Sequence, residues 1–321
     1  MQFLPRGLAT GIGSMPFKEP GPALRLVWEN LPRVPHWPQL PQRGADEGFV
    51  HQFLDPLVRV QQLLVKSGDN YVFAVDDPSW PDRLTEFYTT YLAAEEGDSA
   101  ALQAFAFPPS SAAGFYAFTE ELREKGTGGA RCLKGHLAGP LTVGLQLKDA
   151  RGRVAYYEDQ LRDLLVKTLA MHARWQAAEL GRFGLPVIIF VDEPGIRVYG
   201  SSSYITVTRE MVLGDLNAIF AAVHAAGGMV GVHSCDAIDW SVLYESDLDI
   251  VNLDTYQHGD SLLPYAREMK DYLARGGVMA WGIVPTSGDA ELDALVGLWK
   301  ESVSRLAARG VDRAALEGQC M

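Results

Sequence analysis

The feature that most constrains the fold is a series of short apolar runs alternating with segments of helical spacing. The runs are too continuously apolar for a sheet with one face in water, and such runs are typical of strands in an enclosed parallel sheet. From residue 185 onward, runs are found at residues 185–192, 229–233, 249–254 and 278–285, and helical spacing at residues 208–226, 239–246, 261–275 and 290–309. This alternation predicts successive βα units.

Earlier apolar stretches extend the pattern. Strands are expected around Thr10, Val75 and Lys134, which brings the count to seven, and an eighth is expected to start near residues 317–321. Seven or eight βα units, with no internal repeat or linker, predict a single (β/α)8 TIM barrel with one domain over residues 1–321. Residues 32–41 contain four prolines in ten positions. Proline has no N–H to donate, so this passage is predicted to be an extended proline-rich loop, an N-terminal extension of the barrel.

Composition excludes several function classes. The formal net charge is -12, from 40 acidic and 28 basic residues, which argues against a nucleic-acid backbone or an anionic membrane as partner. No run of eighteen apolar residues and no signal-peptide pattern is present. The three cysteines are few and odd in number, which favours a reducing compartment, so a cytoplasmic protein is expected.

Polar residues follow nearly every predicted strand. In a parallel barrel the carboxyl ends of the strands converge, and the chemistry of such folds is found there. The residues expected at these ends are Ile12, Gly13, Ser14, Asp76, Asp77, Lys134, His136, Asp192, Glu193, His233, Cys235, Asp254, Tyr256 and the run from Trp281 to Thr286. Their recurrence predicts a functional site at this face of the barrel.

Three of these residues are candidate ligands for a zinc ion. His233 and Cys235 are separated by one residue, and neutral imidazole and thiolate are the ligands zinc prefers. Asp254 ends the next predicted strand and is expected within reach of the same ion. The alternative is that His233 is a buried packing imidazole and Cys235 a small apolar side chain. A fourth ligand is not evident, and Cys320, the remaining downstream thiol, precedes the end of its predicted strand.

Four motifs, taken together, resemble those of a known family. Residues 10–16 (Thr-Gly-Ile-Gly-Ser-Met-Pro), 134–142 (Lys-Gly-His-Leu-Ala-Gly-Pro-Leu-Thr), 191–194 (Val-Asp-Glu-Pro) and 233–235 (His-Ser-Cys) occur in this order. The chain resembles the catalytic C-terminal barrel of the cobalamin-independent methionine synthases and its short stand-alone relatives, over roughly residues 8–260.

The resemblance implies zinc-dependent transfer of a methyl group to a small thiol such as homocysteine. Carried over by motif, Ile12 and Ser14 would contact the amino-acid part of the thiol, Asp192 would accept its ammonium group, and His233 and Cys235 would hold the zinc. Zinc keeps a bound thiol deprotonated near neutral pH, and the thiolate then attacks the methyl donor.

The sequence also departs from the family. Asp254 stands where the synthases have a glutamate ligand, and their last cysteine ligand has no counterpart, so either the sequence stops short of it or Cys320 replaces it. Transfer from methyltetrahydrofolate requires protonation of a nitrogen leaving group, yet residues 281–287 contain no histidine and the N-terminal second barrel of the synthases is absent. These absences favour a methylated corrinoid protein over methyltetrahydrofolate as donor.

Two other functions are considered. The same superfamily contains uroporphyrinogen decarboxylases, metal-free barrels that bind a polyanionic tetrapyrrole through arginines near the first strand. Here Arg6 alone lies near that strand and the chain is acidic. A non-catalytic barrel that binds a corrinoid or a metal as an accessory protein is the third hypothesis, supported by the missing fourth ligand.

Overall fold

The centre of the protein is a five-stranded parallel sheet. In the computed structural model, which describes residues 4–68, 70–286, 288 and 290–321, its strand order is β3-β5-β6-β7-β8. A separate three-stranded sheet has the order β1-β2-β4. The strands are β1 Leu64–Ser67, β2 Asn70–Phe73, β3 Leu133–Ala138, β4 Lys148–Asp149, β5 Val187–Asp192, β6 Met229–Ser234, β7 Ile250–Leu253 and β8 Val278–Trp281. The prediction of an α/β fold with a parallel sheet is confirmed.

Four of the helices of the described residues, α1 to α4, precede the parallel sheet, and the others follow or connect its strands. They are α1 Pro20–Asn30, α2 Trp80–Glu95, α3 Ser99–Gln103, α4 Ala113–Lys125, α5 Pro140–Gln146, α6 Asp159–Gly181, α7 Arg209–Ala225, α8 Ser241–Glu245, α9 Thr255–His258, α10 Ala266–Ala274, α11 Leu292–Ala307 and α12 Arg313–Gly318. Among the helices of the described residues, none is long and apolar enough to cross a membrane.

The parallel sheet is apolar on both faces. Along β5, Ile189 and Val191 pack in the large core with the helices, whereas the alternate residues Ile188 and Phe190 belong to a second cluster. Side chains of a strand alternate between faces, so the second cluster lies on the opposite side of the sheet. Its members are Val34, Cys132, Ile188, Phe190, Ile250, Val278 and Ala280, with Leu8, Met229 and Met321 against them. Burial of both faces explains the continuous apolar runs.

Further chain segments pair with the two edges of this sheet. Beyond β8, Cys320 forms a parallel bridge with Met279, and the Gly7 amide donates to the Cys320 carbonyl at 2.8 Å. Beyond β3, His36 forms a parallel bridge with Lys134. A further parallel bridge joins Ser14 to Gln39.

The proline-rich passage is without regular structure from residue 35 to residue 40, follows a turn at residues 32–34, and is not a peripheral loop. Residues 34–40 are buried, and the passage lies along β3. It does so mainly as an acceptor, because the Arg33 and Pro35 carbonyls receive the amides of Arg131 at 2.8 Å and Lys134 at 3.0 Å. A carbonyl accepts a hydrogen bond whether or not its residue has an N–H. The missing N–H groups of the prolines therefore cost nothing in these two bonds.

The strand expected around Val75 does not belong to the parallel sheet, so that prediction is wrong. The observed strand, β2, pairs antiparallel with β1 and parallel with β4. Both edges of β2 are thereby used in the smaller sheet. Asp76 and Asp77 therefore do not lie at the carboxyl ends of the parallel strands. Asp76 forms an ion pair with Arg151 at 2.6 Å, and Asp77 accepts from the Ser79 amide at 2.9 Å.

Candidate functional site

The strand register places three polar residues side by side at the carboxyl end of the parallel sheet. Asp192 of β5 lies opposite His233 of β6, and His233 lies opposite Asn252 of β7. Paired residues of neighbouring parallel strands project from the same face. The expectation that the strands carrying His233 and Asp254 are neighbours is confirmed, because β6 pairs with β7.

Asn252 fixes the orientation of the His233 ring. The Asn252 side chain donates through Nδ2 to the Ala280 carbonyl at 2.7 Å, so its Oδ1 must face His233 Nδ1, 2.5 Å away. An amide oxygen can only accept, and His233 therefore carries its proton on Nδ1. Burial lowers the pKa of His233, which keeps the ring neutral and leaves a lone pair on Nε2.

Cys235 and Asp254 lie near His233. Burial has the largest effect on both groups, lowering the pKa of His233 and raising the pKa of Cys235, and the Asp254 charge adds a smaller increase to each pKa. Cys235 is exposed, and Asp254 accepts from the Gln257 amide at 3.0 Å as the N-cap of α9. In the part of the chain that the structure describes, no group of three or more His, Cys, Asp and Glu side chains is arranged to hold a metal ion.

Cys320 lies on the other side of the sheet from His233. Cys320 and its bridge partner Met279 belong to the core between sheet and helices, whereas Ala280, opposite Asn252, belongs to the second cluster on the other face of the sheet, here named the inner cluster. The Cys320 thiol contacts the Glu317 carbonyl at 3.1 Å. Cys320 is therefore a packing residue in this arrangement.

Asp192 and Lys134 are both buried, and each charge acts on the pKa of the other without a direct ion pair among the contacts of the described residues. Burial raises the pKa of Asp192 and lowers the pKa of Lys134, and each charge partly offsets the effect on the other. Lys134 donates to the Ile12 carbonyl at 2.6 Å and lies 4.7 Å from the centre of the Phe190 ring. Asp192 Oδ1 has no hydrogen-bond partner among the described residues. An acceptor is thus available at the strand ends.

The loop after the first predicted strand carries Ile12 and Ser14. The Ile12 side chain is 41% exposed, while its carbonyl is held by Lys134. Ser14 Oγ donates to Gln39 Oε1 at 2.6 Å, Gln39 Nε2 to Gln52 Oε1 at 2.7 Å, and Gln52 Nε2 to the Ser111 carbonyl at 2.7 Å. Both glutamines are buried, so this relay ties Ser14 to the interior.

His136 is a buried histidine with free hydrogen-bonding capacity. Its ring stacks on Trp37 with centroids 3.8 Å apart, and both ring nitrogens lack a partner within the described ranges. A Cβ added to Gly13, whose φ is +148°, would lie 2.5 Å from His136 Cε1. Only glycine fits this close approach. Burial lowers the pKa of His136 well below its usual value, so the ring is neutral.

Glu193, the neighbour of Asp192, has a structural role. Its carboxylate accepts from the amides of Leu141 at 2.9 Å and Thr142 at 2.8 Å, and from the Thr142 hydroxyl. These amides begin α5 and would otherwise lack acceptors. Burial raises the pKa of Glu193 to about 7 despite these bonds.

Sequence reasoning missed Asn252, Gln39 and Gln52. Asn252 lies two positions before Asp254, so strand alternation places both on one face, and this spacing was the available signal. The glutamines carried no signal, because their partners are distant in sequence.

Among the residues that the structure describes, several buried polar atoms without hydrogen-bond partners belong to residues at or near the strand ends. They are His136 Nδ1 and Nε2, Asp192 Oδ1, Thr255 Oγ1 and Trp281 Nε1. Buried polar groups are normally hydrogen-bonded, and His136 and Asp192 lie on the same face of the sheet, so their unpaired atoms indicate a place where water or a polar ligand can bind. No model of a known protein family matches the chain, and the search of curated proteins likewise gives no match.

Proposed function

We propose that the chain is a single (β/α)8 barrel, a cytoplasmic enzyme that transfers a methyl group to a small thiol such as homocysteine at a zinc ion. For the barrel, the support is a ring of pairings. It runs from β3 through β8 to the Met279–Cys320 bridge, and one hydrogen bond joins the Gly7 amide to the Cys320 carbonyl. The segment that starts at Gly7 then pairs through the Ser14–Gln39 bridge, and the His36–Lys134 bridge leads back to β3. The inner cluster, which joins Leu8 and Met321 to Ile188, supports the same closure.

The observation that carries the zinc proposal is the fixed state of His233. Its Nδ1 proton is held by Asn252, and Nε2 has no partner within the described residues. His172 is the contrast within the same chain, because its Nδ1 bonds to the Phe105 carbonyl and its Nε2 to Gln176. A metal-binding histidine characteristically donates its second ring N–H to an oxygen acceptor, as His233 does.

The side chains of His233, Cys235 and Asp254 are of the types that bind zinc. His233 Nε2 is ready as a ligand, Cys235 is an exposed thiol, and Asp254 uses one carboxylate oxygen for its cap. As positioned, the three do not converge, so binding requires the Cys235 and Asp254 side chains to turn toward His233. A bound zinc would hold the substrate thiol as a thiolate, which is the nucleophile for methyl transfer.

The remaining residues of the site would bind the amino-acid part of the thiol. Asp192 presents an unpaired oxygen in the same row as His233 and suits an ammonium group. Ile12 and Ser14 lie in the loop held by Lys134 and Gln39. For the donor we propose a methylated corrinoid protein over methyltetrahydrofolate, because a corrinoid leaving group needs no proton.

Zinc content of the purified protein tests this function. We expect one zinc per chain in the wild type and loss of zinc in His233→Ala and Cys235→Ala. His224→Ala and Cys132→Ser are matched controls, since His224 bonds to Asp249 and Cys132 lies in the inner cluster. A correctly folded wild type that takes up no zinc on reconstitution would overturn the proposal. Methyl transfer to homocysteine from methylcobalamin, compared with methyltetrahydrofolate, tests the donor.

A second candidate is metal-independent acid-base chemistry, as in a decarboxylase. The observation that favours it is the buried Lys134 and Asp192 pair, whose pKa values burial shifts toward each other. The two candidates differ in Lys134→Met: decarboxylation would be abolished, whereas zinc content would be retained.

A further inference from the structure

A cavity of about 200 Å³ lies outside the parallel sheet, between the N-terminal helical turns and the smaller sheet. It is lined by Asp46, His51, Asp55, Val58, Arg59, Tyr71 and Ser111. These residues come from the turns at residues 45–60, from β2 and from the turn Pro109–Ser111. None of them belongs to the candidate site at the carboxyl ends of the parallel strands, which is named the strand-end site here.

The charges that line the cavity leave one negative charge unbalanced. Arg59 forms an ion pair with Asp55, four residues earlier in the chain. Asp46 has a weaker contact, from the Tyr71 hydroxyl at 3.5 Å. With two carboxylates and one guanidinium, the lining is suited to a monovalent cation.

Ser111 provides an independent indication of a ligand. Its side chain is 2% exposed and lines the cavity, yet its Oγ has no hydrogen-bond partner among the described residues. The Ser111 backbone is fixed, because its carbonyl accepts from Gln52 Nε2 at 2.7 Å. A buried hydroxyl held toward a cavity without a partner is costly unless a ligand or a water completes it.

The remaining walls suit hydrocarbon. The Tyr71 and His51 rings meet edge to face with centroids 5.2 Å apart, and Val58 lies beside them. An ammonium group is attracted to the face of an aromatic ring. A carboxylate beside an aromatic and aliphatic wall therefore favours an organic cation, whose ammonium group and carbon chain can contact both.

We propose that this cavity binds a small organic amine, with Asp46 as the counter-charge, Ser111 Oγ as an acceptor for the ammonium group and the Tyr71 ring against its carbon chain. The proposal is independent of zinc and of methyl transfer, since it uses no residue of the strand-end site.

Isothermal titration with n-butylamine tests the proposal, with 1-butanol and butyrate as neutral and anionic probes of the same length. We expect saturable binding of butylamine and no binding of the other two. Asp46→Asn keeps the shape and removes the charge, and we expect it to weaken binding about tenfold or more. Ser111→Ala should weaken it about fivefold, the loss of one hydrogen bond.

Two controls keep the experiment decisive. Glu124→Gln removes an exposed carboxylate on α4, away from the cavity, and should leave the affinity unchanged. His233→Ala should also leave it unchanged, which separates this cavity from the zinc proposal. No butylamine binding to the folded wild type, equal binding of butanol, or full affinity in Asp46→Asn would each overturn the proposal.

Discussion

Asn252→Ala is the most direct test of the hydrogen bonds that orient His233. The substitution removes the acceptor of the Nδ1 proton and the donor to the Ala280 carbonyl. Asn252 is 7% exposed, so water replaces these partners poorly. Leaving buried polar groups unpaired costs about 1–3 kcal/mol each in the free energy of unfolding. Loss of the group that orients a metal-binding histidine lowers metal affinity about 10–100-fold.

Competition with a chromophoric chelator measures the zinc affinity, and urea denaturation measures the free energy of unfolding. Asn217→Ala is the matched control, because Asn217 Oδ1 accepts one bond from the Asp247 amide at a partly exposed position. That variant should bind zinc as the wild type does. The ¹⁵N shifts of the His233 ring should show the proton on Nδ1 in the wild type and a mixture of tautomers in Asn252→Ala.

One outcome refutes the reasoning about Asn252. If Asn252→Ala loses stability but keeps the wild-type zinc affinity, the amide supports the sheet and does not prepare a metal ligand. Unchanged tautomer populations would show in addition that other groups fix the ring.

Three further predictions concern single residues. Gly13→Ala should lower the free energy of unfolding by about 1–3 kcal/mol in urea denaturation, because its Cβ would overlap the His136 ring; Gly297→Ala, in the open middle of α11, should raise it by about 0.5–1 kcal/mol. Burial lowers the pKa of His172 from 6.5 to about 4, so unfolding takes up a proton between these values, and the stability of the wild type relative to His172→Gln should fall by about 1.4 kcal/mol per pH unit as the pH drops through that window. A relative stability that does not change with pH would contradict it. Asp192→Asn should weaken homocysteine binding about tenfold or more with zinc content unchanged, and equal affinity in calorimetry would remove Asp192 from the substrate site.

The parallel strands were predictable because burial on both faces leaves a continuous apolar run. Residues 185–192 and 229–233 correspond closely to β5 and β6. The predicted strand near Val75 is equally apolar, but its pairing with β1 and β4 depends on segments that periodicity does not connect. An apolar run predicts a strand, but it does not identify the partner.

The proline-rich passage shows a different limit. Residues 32–41 lack the alternation of apolar and polar side chains that marks a strand, and their prolines have no N–H to donate. The Pro35 carbonyl nevertheless accepts from the Lys134 amide of β3. At the site, His233, Cys235 and Asp254 were found as residue types known for binding metals. Asn252 was missed because its importance comes from the register between β7 and its neighbours, which the sequence does not state.

The hydrogen bonds from Ser14 to Ser111 have a direction. A backbone carbonyl can only accept, so Gln52 must turn its nitrogen to Ser111, Gln39 must turn its nitrogen to Gln52, and Ser14 must give its one proton to Gln39. The Ser14 hydroxyl therefore has lone pairs alone to offer to a ligand. The buried Ser111 carbonyl, at the other end of this series of hydrogen bonds, thus sets the preference of the Ser14 hydroxyl: a ligand placed there would be favoured if it offered a proton, as an ammonium group does, and disfavoured if it were a carboxylate.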